Sequence, residues 1–303
     1  YIVTHTAFCK FMSDSGLRLR MRNCISGSTA PSFNVLPEEC LVKILSLATP
    51  RDACRFSTLS SPFKSAAQSD VLWEKFLPEN YRTTIANSSD PELYNRCSSK
   101  KELYLHLSEN PLLIDGGRKS YSLERSSGKI RWMLSARDLF IVWGNTPMYW
   151  AWVSRPGTVF QEVAELLAVC WLEIRGGINA SMLSKQTLYS AYFVFQLTRS
   201  SYGFADNPLE VSVGNVGGQS VRRDINLGTL ERNRRRRGRR VARARVGERV
   251  DGWLEIEMGE FFNDDLETED VTMTVLELHS QWKRGLVVYG IQIRPKNTRH
   301  PDT

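Results

Sequence analysis

The sequence predicts an α+β chain of more than one domain, a small all-α module followed by an antiparallel β-sandwich of jelly-roll type. Three observations lead there. Between Phe33 and Pro78 apolar residues recur every three or four positions behind small polar residues and prolines, the signature of short amphipathic helices. From about Ile130 to Lys296 the period becomes two, with turn residues between the runs and few intervening helices. A length of 303 residues leaves room for about two cores of ordinary size.

The helices come first. In LPEECLVKILSLATP, Pro37 suits a first helical position, where its missing N–H costs nothing, and Leu41, Ile44, Leu45 and Ala48 form one apolar stripe. Thr49-Pro50-Arg51-Asp52 reads as the next start, with the Thr49 hydroxyl capping and the Asp52 carboxylate in the positive first turn. Ser61-Pro62-Phe63 repeats the device, and Asp70 precedes Val71, Leu72, Trp73, Phe76 and Leu77. Three or four short helices make a thin core, which favours a module completed by a partner. Residues 79–129 read as a linker with one short helix, opened by the capping box Ser99-Lys100-Lys101-Glu102.

In the β-region Leu139, Ile141 and Trp143 are expected on one strand face. Further strands are VCWLEIR, TLYSAYFVFQL, PLEVSVG, VTMTVLELH and GLVVYGIQIRP, while VAELLAV is the one helical turn. Gly176-Gly177 and Asp251-Gly252 read as turns that use positive φ. Seven of the eight tryptophans lie in this half. Trp171 and Trp253, within apolar runs, read as core. Trp143 and Trp150 flank the loop GNTPMY and read as rim residues, where an exposed ring suits a sugar's apolar C–H face or a nucleobase.

Charge narrows the function. The 40 Lys and Arg against 33 Asp and Glu give a net +7, but residues 231–249 alone carry ten Arg and two Glu, so the remaining chain is close to neutral. A globally basic nucleic-acid-binding fold is thereby disfavoured. The run containing Arg234, Arg235, Arg236, Arg237, Arg239 and Arg240 reads as a solvated insert, a nuclear-import signal or a phosphate-backbone contact. No run of about 18 apolar residues suggests a membrane span. The six Cys and four His show no zinc-ligand spacing, so no metal or other cofactor is expected, and a reducing compartment is the simplest reading. The first 31 residues read as a disordered tail without a secretory h-region, and 297–303 as a second tail. No nucleophile-elbow, zinc-protease or phosphate-loop motif occurs, so the chain is read as non-catalytic.

Two family resemblances join these readings. Residues 32–78, with Leu36-Pro37-Glu38, the Ile44-Leu45 pair, the Pro50-Arg51-Asp52 turn and Trp73, resemble an F-box. The resemblance implies docking on a Skp-type adaptor of a cullin-based, SCF-type ubiquitin ligase through Leu36, Pro37, Leu41, Ile44 and Leu45, with Val71 and Trp73 closing the surface. Residues 130–296, in blocks such as WMLSARDLFIVWGNTPMYW, YGFADNPLEVSVG and RVDGWLEIEMGEF, resemble the phloem protein 2 (Nictaba-type) lectin domain of plants. That resemblance implies binding of N-acetylglucosamine oligomers, N-glycan cores or glycoproteins through Trp143, Trp150, Asp270 and Glu277. Together they imply a substrate receptor of a ubiquitin ligase in cytoplasm and nucleus. A stand-alone stress lectin, or nucleic-acid binding through the Arg run, are the other readings.

Overall fold

The computed structural model describes residues 36–215, 220–228, 246–264 and 270–296. The chain divides into two units, Tyr1–Pro37 and Glu38–Thr303. Of the first only Leu36 and Pro37 are described, both exposed. Everything below concerns the second.

Seven helices open this unit: α1 (Glu38–Ser46), α2 (Pro50–Phe56), α3 (Ser61–Ala66), α4 (Asp70–Phe76), α5 (Tyr81–Ala86), α6 (Leu93–Arg96) and α7 (Lys100–Glu109). Their boundaries follow local chemistry. Thr49 accepts the Asp52 N–H at 3.1 Å and so caps α2, as its sequence predicts. Ser60 precedes α3 without a side-chain cap, so there the proline alone sets the start. Ser99 accepts the Glu102 N–H at 3.1 Å, and Glu102 returns the bond to the N–H of Ser98, one residue before the cap, at 2.8 Å. Leu41 and Leu45 of α1 are wholly buried, and α1 packs on α3 and α4. Trp73 of α4 is buried beside Tyr104 of α7, ring centroids 5.1 Å apart, with its indole N–H on the Ala67 carbonyl at 2.8 Å.

The segment read as a linker is built into the fold. It supplies α5 to α7 and the first two strands, β1 (Leu112–Ile114) and β2 (Lys119–Leu123). The Tyr104 hydroxyl donates to the carbonyls of Glu124 and Arg125 at 3.3 and 3.1 Å, in the turn that follows β2. In the same turn Gly128, at φ +75°, lies so close to the Phe76 carbonyl that a Cβ would stand 2.9 Å from it. These contacts seal the helices onto the sheet, which is why helices and strands form one compact unit.

The sandwich continues with β3 (Ile130–Ser135), β4 (Phe140–Ile141), β5 (Trp150–Val153), β6 (Val163–Leu166), β7 (Leu172–Asn179), β8 (Thr187–Tyr202) and β9 (Leu209–Asn215). Then come β10 (Ser220–Ile225), β11 (Val246–Glu248), β12 (Leu254–Asn263), β13 (Asp270–Glu277) and β14 (Arg284–Pro295). Among the described residues one sheet runs β1-β2-β3-β14-β8-β12-β11, with β6 also on β14 and β5 on β6, and the other runs β10-β9-β13-β7-β4. Every pairing is antiparallel.

Three local expectations change. VAELLAV contains strand β6 and no helical turn, because pairing with β5 and β14 overrides the helix preference of Ala, Glu and Leu. Gly176 and Gly177 are not a turn but the middle of β7. A Cβ on Gly176 would come within 2.8 Å of Leu139 and 3.1 Å of Ile291 on the opposite sheet, so the glycine is there to let the sheets close. The basic insert ends earlier than 249, since Val246–Glu248 pairs with β12 as β11. Asp251-Gly252 is the expected turn, with Gly252 at φ +80°.

Candidate functional site

The turn after β4 decides what the tryptophans do. Trp143 does not continue a strand face with Leu139 and Ile141, because β4 ends at Ile141 and Trp143 has φ +55°. A bulky residue in the left-handed region is costly, about 1–3 kcal/mol, unless its surroundings over-determine it. Two neighbouring indoles do so. Trp150 donates to the Val142 carbonyl at 3.2 Å and Trp152 to the Gly144 carbonyl at 2.9 Å, bracketing Trp143. Trp143 itself is 46% exposed and packs on Tyr149, centroids 5.5 Å apart.

Trp150 is therefore not a rim platform. It begins β5 and is 2% exposed, with its N–H spent on the turn. The two acids expected to join the tryptophans are also apart. Asp270 and Glu277 are the first and last residues of β13, seven positions or roughly 23 Å apart, and an odd spacing puts them on opposite faces. Asp270 is exposed and accepts from Asn179 Nδ2 at 2.9 Å. Glu277 points inward, 2% exposed. Its carboxylate accepts the His279 N–H at 3.1 Å and meets His279 Nδ1 at 2.7 Å and the wholly buried ammonium of Lys283. Lys283 also donates to the carbonyls of Cys170, His279 and Gln281, each at 2.8 Å. This is a structural knot that holds the Glu277 carboxylate in the interior.

The structure assembles a different set around Trp143. The Val142 N–H bonds the Glu173 carbonyl at 3.0 Å, bringing the start of β7 beside the turn. Trp171, expected in the core, is 44% exposed and donates to Glu173 Oε2 at 3.0 Å, while Glu173 also pairs with Arg175. Phe140, 61% exposed, lies directly across from Arg175. Phe140, Trp143 and Trp171 with Glu173 and Arg175 thus make an aromatic and ionic rim on the β4 edge of the smaller sheet. The sequence did carry a signal. Trp171, Glu173 and Arg175 share one parity, and the two charges mark it as the face turned from the core, with Glu173 itself covered to 9% exposure. Trp253, in contrast, is 2% exposed and packs on Tyr289, as core.

The helical residues divide the same way. Leu41, Leu45 and Trp73, expected to form part of the adaptor surface, are interior. Ile44 is half-buried and Val71 is 64% exposed. On α1 the solvent-facing line is Cys40 and Ile44, continued just past the helix by Leu47, opposite the buried Leu41 and Leu45. Leu36 and Pro37 are exposed at the end of the other unit.

The arginines of the basic run, Arg234, Arg235, Arg236, Arg237, Arg239 and Arg240, lie outside the described residues. A cleft of about 460 Å³ opens elsewhere, between the Asn87–Ser89 segment and the sandwich, and the four family residues take no part in it. One wall is Arg137, which donates twice to Glu162 and stacks over Trp152 at 3.6 Å. Among the described residues no three His, Cys, Asp or Glu are placed to hold a metal ion, and no helix is long and apolar enough to cross a membrane.

The described residues thus form a helical module sealed onto an antiparallel β-sandwich with an aromatic rim. The phloem protein 2 family model matches residues 129–295 and an F-box-like model matches 33–78. Among Arabidopsis thaliana proteins, F-box protein At2g02240 is 44% identical over 277 residues, 91% of this chain and 83% of its own. F-box protein PP2-B10 is 44% identical over 271 residues, 88% of this chain and 96% of its own. F-box protein VBF is 38% identical over 282 residues, 86% and 99%. The chain belongs to the phloem protein 2 family and carries an F-box-like module ahead of that domain. A solved Podospora anserina β-(1,4)-mannanase with a CBM35 module covers 56% of this chain and 29% of its own at 10% identity and a TM-score of 0.31.

Proposed function

We propose that this chain is the substrate-recognition subunit of an SCF-type ubiquitin ligase. Its helical module docks a Skp-type adaptor, and its sandwich holds glycosylated targets by N-acetylglucosamine oligomers or N-glycan cores. The observation that carries the adaptor reading is the F-box-like match over 33–78, together with an apolar line on α1 that faces solvent while the opposite line forms the core. The sugar reading is carried by Trp143, half exposed on a braced turn, with Trp171 and the Glu173–Arg175 pair beside it to fix hydroxyl orientation. The chain itself performs no chemistry in this reading. Ubiquitin transfer belongs to its partners, and the Arg run serves as an address for the nucleus beside a cytoplasmic pool.

Two experiments test the reading separately. Co-purification of the full chain with a Skp-type adaptor is expected, and failure of a folded chain to retain any such adaptor would remove the ligase role. A glycan array on the full chain is expected to select chitooligosaccharides or N-glycan cores. An array with no signal leaves the sandwich a protein-binding module. Deleting 232–245 is expected to empty the nuclear pool while both binding activities persist.

A further inference from the structure

The outward face of the larger sheet, a different sheet from the one that carries the aromatic rim, holds a cluster of guanidinium groups with too few acceptors. Arg294 on β14 donates to Glu255 at 2.7 and 3.0 Å and to Gln292 Oε1 at 3.2 Å, and lies over the Tyr192 ring at 3.7 Å. Arg249 takes the same two acceptors, Gln292 Oε1 at 2.8 Å and Glu255 at 3.5 Å, and adds Asp251. One carboxylate and one amide oxygen are thus shared between two arginines. The pairing of Ile293 with Trp132 places Arg131 of β3 next to Arg294 on the same face.

Arg131 has no acceptor. Its guanidinium makes no hydrogen bond or ion pair with any described residue, and its Nε is fully buried. Of the two nearest acids along the chain, Glu124 is spent on the N–H and hydroxyl groups of Ser126 and Ser127, and Asp138 pairs with Lys119. Burial and the charges of Arg294 and Arg249 disfavour its protonated form, an effect that the charges of Glu124 and Glu255 offset only in part. Ser190 lies across from Arg294 on β8, wholly buried, and its hydroxyl is unpartnered too. The Gln292 amide is 7% exposed, and its oxygen is held by Arg249 and Arg294.

An unsatisfied half-buried guanidinium costs stability, and folded proteins rarely leave one without a partner. Here the vacant groups are a guanidinium and a hydroxyl, both able to donate, and two more cations stand beside them. We infer that Arg131, with Ser190 and Arg294, forms a binding site for an oxyanion, a carboxylate or phosphate group carried by a ligand. A planar guanidinium fork with a second guanidinium and a hydroxyl beside it suits the two or three oxygens of such a group. Glu255, Gln292 and Tyr192 hold Arg294 in place. The site is independent of the sugar and adaptor readings.

The test uses the full chain at low ionic strength, titrated separately with inorganic phosphate and with glucuronate, and followed through arginine Nε–H NMR signals. Movement of the Arg131 signal with either anion supports the site, and which anion acts identifies the source of the oxyanion. Arg131→Gln is expected to weaken binding at least about tenfold, and Arg222→Gln, on the other sheet, to leave it unchanged. A stability measurement gives a second readout. Arg131→Met is expected to melt higher than wild type in anion-free buffer, with the gap closing as phosphate or glucuronate is added. Neither anion moving the Arg131 signal, or equal affinity in Arg131→Gln, overturns the inference.

Discussion

The indole N–H of Trp150 donates to the carbonyl of Val142 at 3.2 Å, immediately before Trp143, which stands at φ +55° with 46% of its surface exposed. One tryptophan presents the other, and their substitutions should separate. Trp143→Gly relieves a left-handed residue and is expected to hold or raise stability, by up to about 1 kcal/mol, while abolishing chitooligosaccharide binding. Trp150→Ala empties a core position and is expected to cost about 3–5 kcal/mol in urea unfolding. If Trp143→Gly kept full sugar affinity, the turn would not be the platform.

On α1 the two apolar lines make opposite predictions. Ile44→Asp combined with Val71→Asp is expected to keep the helical circular dichroism and thermal midpoint but lose adaptor co-purification. Leu45→Ala, in the core, is expected to cost about 2–5 kcal/mol and weaken adaptor capture only through unfolding. Adaptor retained by the folded double variant would move the docking surface elsewhere.

Glu277 has a structural role here, since it faces the buried ammonium of Lys283. Glu277→Gln leaves that charge uncompensated and is expected to lower unfolding free energy by about 3–5 kcal/mol, with sugar affinity per folded molecule unchanged. Calorimetry on the folded fraction decides it. An affinity loss without a stability loss would return Glu277 to the ligand.

The Glu124 turn gives a pH dependence. Burial pushes its carboxyl up, but hydrogen bonds from Ser126 and Ser127 outweigh this and hold it below its ordinary value. A depressed carboxyl stabilises fully above the ordinary carboxylate range and loses that contribution as pH falls through the folded value. The stability gap between wild type and Glu124→Gln is therefore expected to be about 1–2 kcal/mol near neutral pH and to shrink toward zero in strong acid. Urea titrations across that range measure it, and a gap that stayed constant would show the carboxylate charge to be irrelevant.

Much of the fold was legible because its signals are local. The Thr49–Asp52 cap, the Ser99–Glu102 box and the Asp251-Gly252 turn each depend on atoms within a few residues, and the change of period from helical to two depends only on which side of an element is buried. The two-part architecture followed from those patterns, and the family from the resemblance of whole sequence blocks. Residue roles were less legible, because spacing does not say which sheet face a side chain takes or what crosses it. Trp150 and Trp171 exchanged expected places since Val142 and Glu173, 31 positions apart, are hydrogen-bonded neighbours. Gly176 looked like a turn and became a gap for Leu139 and Ile291. By itself, then, the sequence determined the helical first module, the β-rich second one, their order and the family they resemble. The tertiary structure alone decided which aromatic rings meet solvent, which acids are buried with a counter-ion and which arginine is left without one. Those outcomes depend on strand register across the two sheets, a long-range property that no short window of residues contains.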